Sequence, residues 1–389
     1  MQTVKTKKKI LFLSHDSSRT GAPMVLLNFL EWLKKQNIYD LEILSKKVGP
    51  LEVSFRELAV VHSPVKKNIL KRGIKKVVSK ITRLSSGYKL PSTLSNKKFD
   101  LIYLNTIDCL DITRLLFEKF NCPIICHVHE NDFTIKAHYP NHFTENNISY
   151  ITRFIAVSKS TKNNLINNHN IPEEKISLVY ELINAEKIKQ PTISVKQVKA
   201  KLGLANEFIV GGSGLSTWRK GIDLFVQVAI ELNKIKPGNN IKLIWVGNIE
   251  EEQFRSRYDY ESQLLGVNDK IIFTGVVPDV QNYFQIFDVF ALTSREDPFP
   301  LVALEAAAQK KPIILFDNSG GMPELFEHGE GGIVVPYVDV VAMANAILDL
   351  QSETDKISSM GIAASQLVDR FDVNIIGKQL VKEIQNVLN

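Results

Sequence analysis

The sequence predicts an α/β protein made of two Rossmann-like domains in tandem, each a parallel sheet with helices on both faces. Three observations predict it. Short apolar runs of strand length alternate with stretches of helical periodicity along nearly the whole chain. At 389 residues the chain is too long for one ordinary domain and divides into two of about 180 residues. Between Asn184 and Val198 the alternation gives way to a polar, Lys-rich stretch, read as the linker. The expected domains are residues 1–185 and 186–370, with 371–389 a C-terminal helix able to cross back to the N-terminal domain.

In the first half the expected strands are Ile10–Ser14, Leu41–Leu44, Asp100–Leu104, Pro123–Val128, Phe154–Val157 and Ile176–Val179. The loop His15–Pro23 leads into a helix whose Met24, Leu27, Leu30 and Leu33 repeat at helical spacing. A helical stretch around Asp108–Phe120 separates two of the strands, and Ser158 can cap the helix after Val157. In the second half the strands are Phe208–Val210, Ile241–Val246, Lys270–Phe273, Val289–Leu292, Pro312–Phe316 and Gly332–Val335, with helical stretches between them. Such alternation implies parallel pairing, and open α/β sheets bind ligands outside the carboxyl ends of their strands. Two in tandem are expected to leave a cleft between those ends. Asp372–Leu388 reads as a final amphipathic helix.

Bulk properties exclude several classes. With 44% apolar residues the chain can bury a core, and no apolar run approaches the roughly 20 residues that span a bilayer. The Lys-rich start runs straight into a strand and does not read as a signal peptide. Cys109, Cys122 and Cys126 are an odd, sparse set that fits a reducing cytosol. Cys122, Cys126, His127 and His129 lie close together, but their spacing fits no usual zinc module, and core thiols are the expectation. There is no Walker sequence, no Gly-x-Ser-x-Gly elbow, and no Asp-x-Asp at a strand end to hold a metal.

The residues that can carry chemistry cluster at strand ends. Thr293–Gln309 reads as strand end, loop and helix, with Pro300 in the first helical turn. The amides of Leu301 and Val302 then lack partners inside the helix and form an anion site. Asp297 and Glu305, eight positions apart, can face one cleft; solvated carboxylates are the plain alternative. Arg219 and Lys220 stand at the turn after the first strand of the second half, placed to hold a phosphate or diphosphate. A solvated basic pair is the weaker alternative there, since cations are disfavoured at the positive end of a helix. Gly320-Gly321 with Glu324 can bring backbone close to a ligand or form a plain turn. His127 and His129 share one face of a strand, with His129 and Glu130 at its carboxyl end; a structural role is at least as good a reading for His127. Thr20-Gly21-Ala22 marks the first strand-to-helix turn without a full dinucleotide fingerprint.

Charge is unevenly spread. The net charge is +6, yet Lys66–Lys98 holds eleven Lys and Arg and no acid, which leaves −5 for the remainder. Leu70, Ile74, Val77, Val78, Ile81 and Leu84 recur at helical spacing, with Lys71, Arg72, Lys75, Lys76, Lys80 and Arg83 on the other face. A cationic amphipathic helix suits an anionic membrane surface. Nucleic acid is disfavoured because only Tyr88 offers a nearby ring for stacking. A solvated basic face packed on the domain is the remaining alternative.

Together these motifs resemble the glycosyltransferases of family 4, a retaining family with the two-domain GT-B fold. The resemblance covers most of the chain and is strongest from Gly211 to Pro336. Ser294–Ala306 is similar to the family pattern of two acids separated by seven residues, with Asp297 first and Glu305 second. Trp218-Arg219-Lys220-Gly221 resembles the diphosphate-binding turn, Phe273–Val277 the loop that touches the base, and Gly320–Glu324 the Gly-Gly-x-Pro-Glu element. His129-Glu130 resembles the step whose histidine approaches the donor sugar, and Gly21-Ala22 the Gly-rich turn near donor phosphate and acceptor. There are departures. Asp replaces the usual first Glu with Glu296 beside it, Pro298 and Pro300 replace two glycines, Leu215 stands where an arginine is common, and Glu181 lies in a changed hinge sequence.

The resemblance implies metal-independent, retaining transfer from a nucleoside-diphosphate sugar, with no cofactor. His129, Asp297 and Lys220 carry the chemistry in this reading. Gly21, Ala22, Arg219, Lys220, Val277, Glu296, Asp297, Leu301, Val302 and Glu305 hold the donor. The acceptor is a lipid-linked or polysaccharide glycan of the cell surface. The protein is expected to be cytoplasmic, peripheral at the inner face of the plasma membrane through 66–89, and not a nucleic-acid binder. Competing readings are a sugar-nucleotide epimerase or hydrolase on the same fold, and an inactive sugar-nucleotide-binding subunit.

Overall fold

Long apolar runs with no polar alternation belong to strands covered on both faces, and the strands of this protein show that pattern. Ile10, Leu11, Phe12 and Leu13 are all fully buried, as are Leu101–Leu104. The computed structural model describes residues 7–64, 88–249, 252–327 and 329–389. The basic stretch expected at a membrane surface, 66–89, lies almost wholly outside the described residues.

The chain divides into two compact units, each with its own sheet. The first comprises Met1–Val157, Lys162–Val179 and Gly377–Asn389. Its strands are β1 (Lys8–Ser14), β2 (Tyr39–Ser45), β3 (Val60–His62), β4 (Leu101–Leu104), β5 (Ile124–Val128), β6 (Arg153–Ala156) and β7 (Ile176–Leu178). They pair in parallel in the order β3-β2-β1-β4-β5-β6-β7. The second unit comprises Ser158–Thr161 and Tyr180–Ile376. Its strands are β8 (Phe208–Ser213), β9 (Ile241–Val246), β10 (Ile271–Phe273), β11 (Val289–Leu292), β12 (Ile313–Phe316) and β13 (Gly332–Val335). Their order is β10-β9-β8-β11-β12-β13, again all parallel. Each sheet reverses its winding direction once, between β1 and β4 and between β8 and β11, which creates a crevice at the carboxyl ends of those strands.

Strand β3 has no counterpart in the sequence reading. It is a three-residue edge strand with Val60 exposed, too short to show a period. A buried polar cluster fixes it: His62 Nε2 bonds Glu42 Oε2 of β2 at 2.7 Å, and Lys97 bonds the other oxygen at 2.9 Å. The polar stretch 184–198, read as a linker, instead folds into two capped helices, Ala185–Ile188 and Val195–Leu202. Ser194 and Gln197 form a reciprocal capping box, Ile188 and Val198 are buried, and Asn282 Oδ1 accepts from the amides of Thr192 and Ile193. Ser158 caps the following helix as expected, its Oγ accepting from the amide of Thr161 at 3.0 Å. The last helix, Val373–Leu388, places Gly377 where an added Cβ would lie 2.8 Å from Trp32, and Ser177 Oγ donates to Glu383 at 2.5 Å.

The three cysteines are free and buried, packed in the core of the first unit. No helix among the described residues is long and apolar enough to cross a membrane.

In the second unit, Gly211 sits mid-strand in β8, and a Cβ there would lie 2.0 Å from the Phe287 ring. Overpacking a tight core costs roughly 1–3 kcal/mol. Gly211→Val is therefore expected to lower the midpoint of thermal unfolding by several degrees without changing strand content, as read by calorimetry and circular dichroism.

Candidate functional site

The crevice of the second sheet is flanked by β8 and β11, and the two charged motifs follow these two strands. Beyond β8 the chain forms a single 3-10 turn, Trp218–Lys220, which ends at Gly221 with φ 66°. A Cβ on Gly221 would lie 1.9 Å from the carbonyl oxygen of Thr293, so only glycine lets the turn press against the loop after β11. Hydrogen bonds stitch the contact. The amide of Arg295 donates to Arg219 O at 2.8 Å, Arg219 Nη1 donates to Glu296 O at 2.8 Å, and Thr293 Oγ1 donates to Lys220 O at 3.3 Å.

This stitching gathers the charges. Asp297 is 6% exposed and receives both cations: Lys220 Nζ on Oδ2, and Arg219 Nη1 on Oδ1 at 3.2 Å. Ser294 Oγ donates to Oδ2 at 3.3 Å. Burial alone would raise the pKa of the Asp297 carboxyl, but the two cations outweigh it and hold the group below the usual carboxylate range. Burial lowers the pKa of the Lys220 ammonium, Arg219 adds to that, and Asp297 opposes both. Glu296, beside it, is half-buried, and its backbone carbonyl takes Arg219 Nη1.

The acidic loop is braced from its other side by the double glycine. Gly320 has φ 131°, and a Cβ there would lie 1.8 Å from Asp297 O. The amide of Asp297 donates to Ser319 O at 2.7 Å, and that of Gly321 to Pro298 O at 3.0 Å. What the two glycines bring close is thus the backbone of the acidic loop itself. Glu324 accepts from the amides of Lys159 and Ser160 at 3.2 and 2.8 Å, and from Tyr180 Oη at 3.1 Å.

Pro300 lies one residue outside the helix expected to contain it. It is the N-cap, with ψ 117°, and the helix is Leu301–Ala308. An extended cap residue leaves the ladder to begin with Ala303 N donating to Pro300 O at 3.1 Å. Leu301 and Val302 are the amides ahead of that ladder, as the sequence predicts. Glu305 is one turn further in, and burial pushes its carboxyl up to about 7 while Lys187 works against the rise. Val277 sits apart, in the loop after β10, two strands away from β8 at the same edge of the sheet.

In the first unit, His129 follows β5. The rings of His127 and His129 are 4.1 Å apart, on one face as alternation requires, and His127 Nδ1 pairs with Tyr103 Oη at 2.8 Å. His127 is buried, and burial, with His129 beside it, lowers its pKa. Glu130 turns back to accept from the amides of His129 and Ile107 at 3.0 and 3.5 Å. Gly21 and Ala22 open the helix Gly21–Gln36, and Ala22 O accepts from Asn105 Nδ2 at 2.7 Å. Asp108, Asp111 and His142 are close enough to share a cation, but Lys46 Nζ already bonds both carboxylates at 2.7 and 2.8 Å.

Sequence reasoning missed Ser294, Ser319, Asp223 and Arg295 in the second unit. No spacing rule finds such partners, since Arg295 and its carboxylate partner Asp223 are 72 positions apart.

A raised carboxyl pKa has a stability consequence. Between about 4.5 and about 7 folded Glu305 binds a proton that the unfolded chain has released, so stability falls as pH rises through that window. Glu305→Gln is expected to melt like the wild type near the lower limit and at a higher temperature above the upper one. A melting difference independent of pH would contradict this.

Both halves of the chain are similar to known proteins. The pattern of Glycosyltransferase Family 4 matches residues 19–187, and that of Glycosyl transferases group 1 matches residues 207–353. The chain is 34% identical over 152 residues to the alpha-galactosylglucosyldiacylglycerol synthase of Streptococcus pneumoniae, covering 38% of this chain and 39% of that one. It is 26% identical over 234 residues to the capsular polysaccharide biosynthesis glycosyltransferase CapM of Staphylococcus aureus, covering 59% and 60%. The chain thus spans 39% and 60% of the length of these two relatives. Among solved structures, Anabaena HepE in complex with UDP-glucose superposes with a TM-score of 0.80 over 97% of this chain and 100% of that one, at 21% identity. That likeness, with the two parallel sheets, shows a GT-B fold. With both family patterns matched in succession along the sequence, the chain belongs to glycosyltransferase family 4, the glycosyl transferases of group 1.

Proposed function

We propose that the protein transfers a sugar from a nucleoside-diphosphate sugar to a lipid-linked or polysaccharide acceptor, with retention at the anomeric carbon and without a metal ion. The observation that carries this reading is the cluster of Lys220 and Arg219 on buried Asp297 at the crevice, in the loop that leads to the Leu301 and Val302 amides. Two cations and two helix-start amides match the charge that develops on a leaving diphosphate, and preorganised charge is the strongest single catalytic lever. The relatives support the acceptor class: one is named for a glycolipid and the other for capsular polysaccharide. The structural neighbour was solved with UDP-glucose, which supports the donor class.

In this reading the bond between the anomeric carbon and the diphosphate oxygen breaks, and its electrons pass to the diphosphate held by Lys220 and Arg219. The acceptor hydroxyl forms the new bond on the same face and gives its proton to the departing phosphate oxygen. Asp297 holds sugar hydroxyls, with Glu296 beside it, Glu305 accepts from the ribose hydroxyls, and Val277 lines the base. For Gly21, Ala22 and His129 the proposed donor contacts rest on the resemblance. We also place the protein in the cytoplasm at an anionic membrane face, through the basic segment 66–89. Neutralising Lys71, Arg72, Lys75 and Lys76 should then abolish co-sedimentation with anionic vesicles.

Product analysis with nucleoside-diphosphate sugars and glycan acceptors tests the activity. Lys220→Ala is expected to lower kcat/KM by about 10²–10³, the usual cost of one charge-stabilising donor. Transfer that survives both Lys220→Ala and Glu305→Ala would refute the mechanism. Release of free sugar, or donor binding without turnover, would instead favour a hydrolase or a binding subunit. Ribose hydroxyls donate to an ionised carboxylate, so donor KM should fall as pH rises through about 7 and should lose that dependence in Glu305→Gln.

A further inference from the structure

We propose that Arg295 and Asp223 form a clamp that positions the diphosphate cradle without touching the donor. The clamp rests on the donor site proposed above. Arg295 lies two residues before Asp297, in a run of three charged residues, and carries the charge a phosphate ligand would need. Its geometry says otherwise. Its guanidinium grips Asp223 with both arms, Nη1 to Oδ1 at 2.8 Å and Nη2 to Oδ2 at 2.6 Å. Nη1 also donates to Trp218 O at 2.8 Å, and Cζ lies 5.0 Å from the centre of the Trp218 ring. The side chain is 12% exposed. A fork committed to a bidentate carboxylate and a carbonyl has little left to offer a diphosphate.

What the clamp joins gives it a role. Asp223 stands in the first turn of the helix Ile222–Ile235, where a carboxylate is favoured by the helix dipole. Trp218 begins the turn that carries Arg219 and Lys220. The backbone of Arg295 reaches the same turn through Arg219 O at 2.8 Å and receives Tyr337 Oη on its own carbonyl at 3.1 Å. One side chain therefore ties the acidic loop, the basic turn and the next helix start together. Lys220 is a flexible ammonium and cannot fix its own distance from Asp297. The clamp fixes the backbone from which both project. Small displacements of positioned groups cost catalysis steeply, so positioning alone explains a rigid pair here.

The test is a double-substitution cycle with Arg295→Gln, Asp223→Asn and the pair, plus Arg295→Lys. Each single change is expected to lower kcat per folded molecule by about tenfold with donor KM moved less than about threefold, and the pair to be no worse than the poorer single change. Arg295→Lys keeps the charge but not the fork, and should recover only part of the loss. Trp218 is half-exposed while Trp32 and Trp245 are buried, so collisional quenching by iodide reports on it and should rise in all four variants. Wild-type turnover in the singles, fully additive losses, or unchanged quenching would overturn the clamp. Because Lys220→Ala tests the donor site separately, a harmful Lys220→Ala beside harmless clamp variants refutes the clamp alone.

Discussion

One buried carboxylate between two cations organises the second unit. Asp297 is almost fully buried, and burying it unpaired would be costly. Lys220 and Arg219 remove that cost, and they reach it because Gly221 lets their turn lie against Thr293. The same pairing solves the converse problem for the cations, which stand near the positive end of a helix. Neither motif is comfortable alone. The cluster as a whole stays positive, with two cations against one carboxylate.

The position of this cluster follows from topology. Winding that reverses between β8 and β11 leaves the loops after these two strands side by side at one sheet edge. Motifs 77 positions apart in sequence, Lys220 and Asp297, meet for that reason. Mutually parallel strands require every such loop to emerge at the same end, so Val277 after β10 and Gly320 after β12 share the edge as well.

Much of this was legible in the sequence, and the gaps have physical causes. The strands were legible because burial on both faces makes them continuous apolar runs. Edge strand β3 was not, because a buried Glu42–His62 pair, rather than an apolar run, holds it. The stretch 184–198 looked like a linker because its helices are short and show solvent most of their surface; caps and the Asn282 side chain fix them. The pairing of Asp297 with Arg219 and Lys220 was anticipated only as two facing motifs. Which of Glu296 and Asp297 turns inward was not readable, because it depends on the amide of Asp297 bonding Ser319 O across the loop.

The same loop explains how prolines can stand where the family has glycines. Pro298 and Pro300 give up two amides and much backbone freedom. Freedom is not needed on that strand of the contact, because Gly320 supplies it on the other: its φ of 131° admits Asp297 O where a Cβ would sit 1.8 Å away. Pro300 is extended, with ψ 117°, and so delivers the chain to the helix with Leu301 and Val302 as its first two amides. A stiff acidic loop loses less entropy on ordering around a ligand than a glycine loop does. The substitution therefore relocates flexibility, and the amides that remain are those of Leu301 and Val302 at the helix start, at the positive end of its dipole.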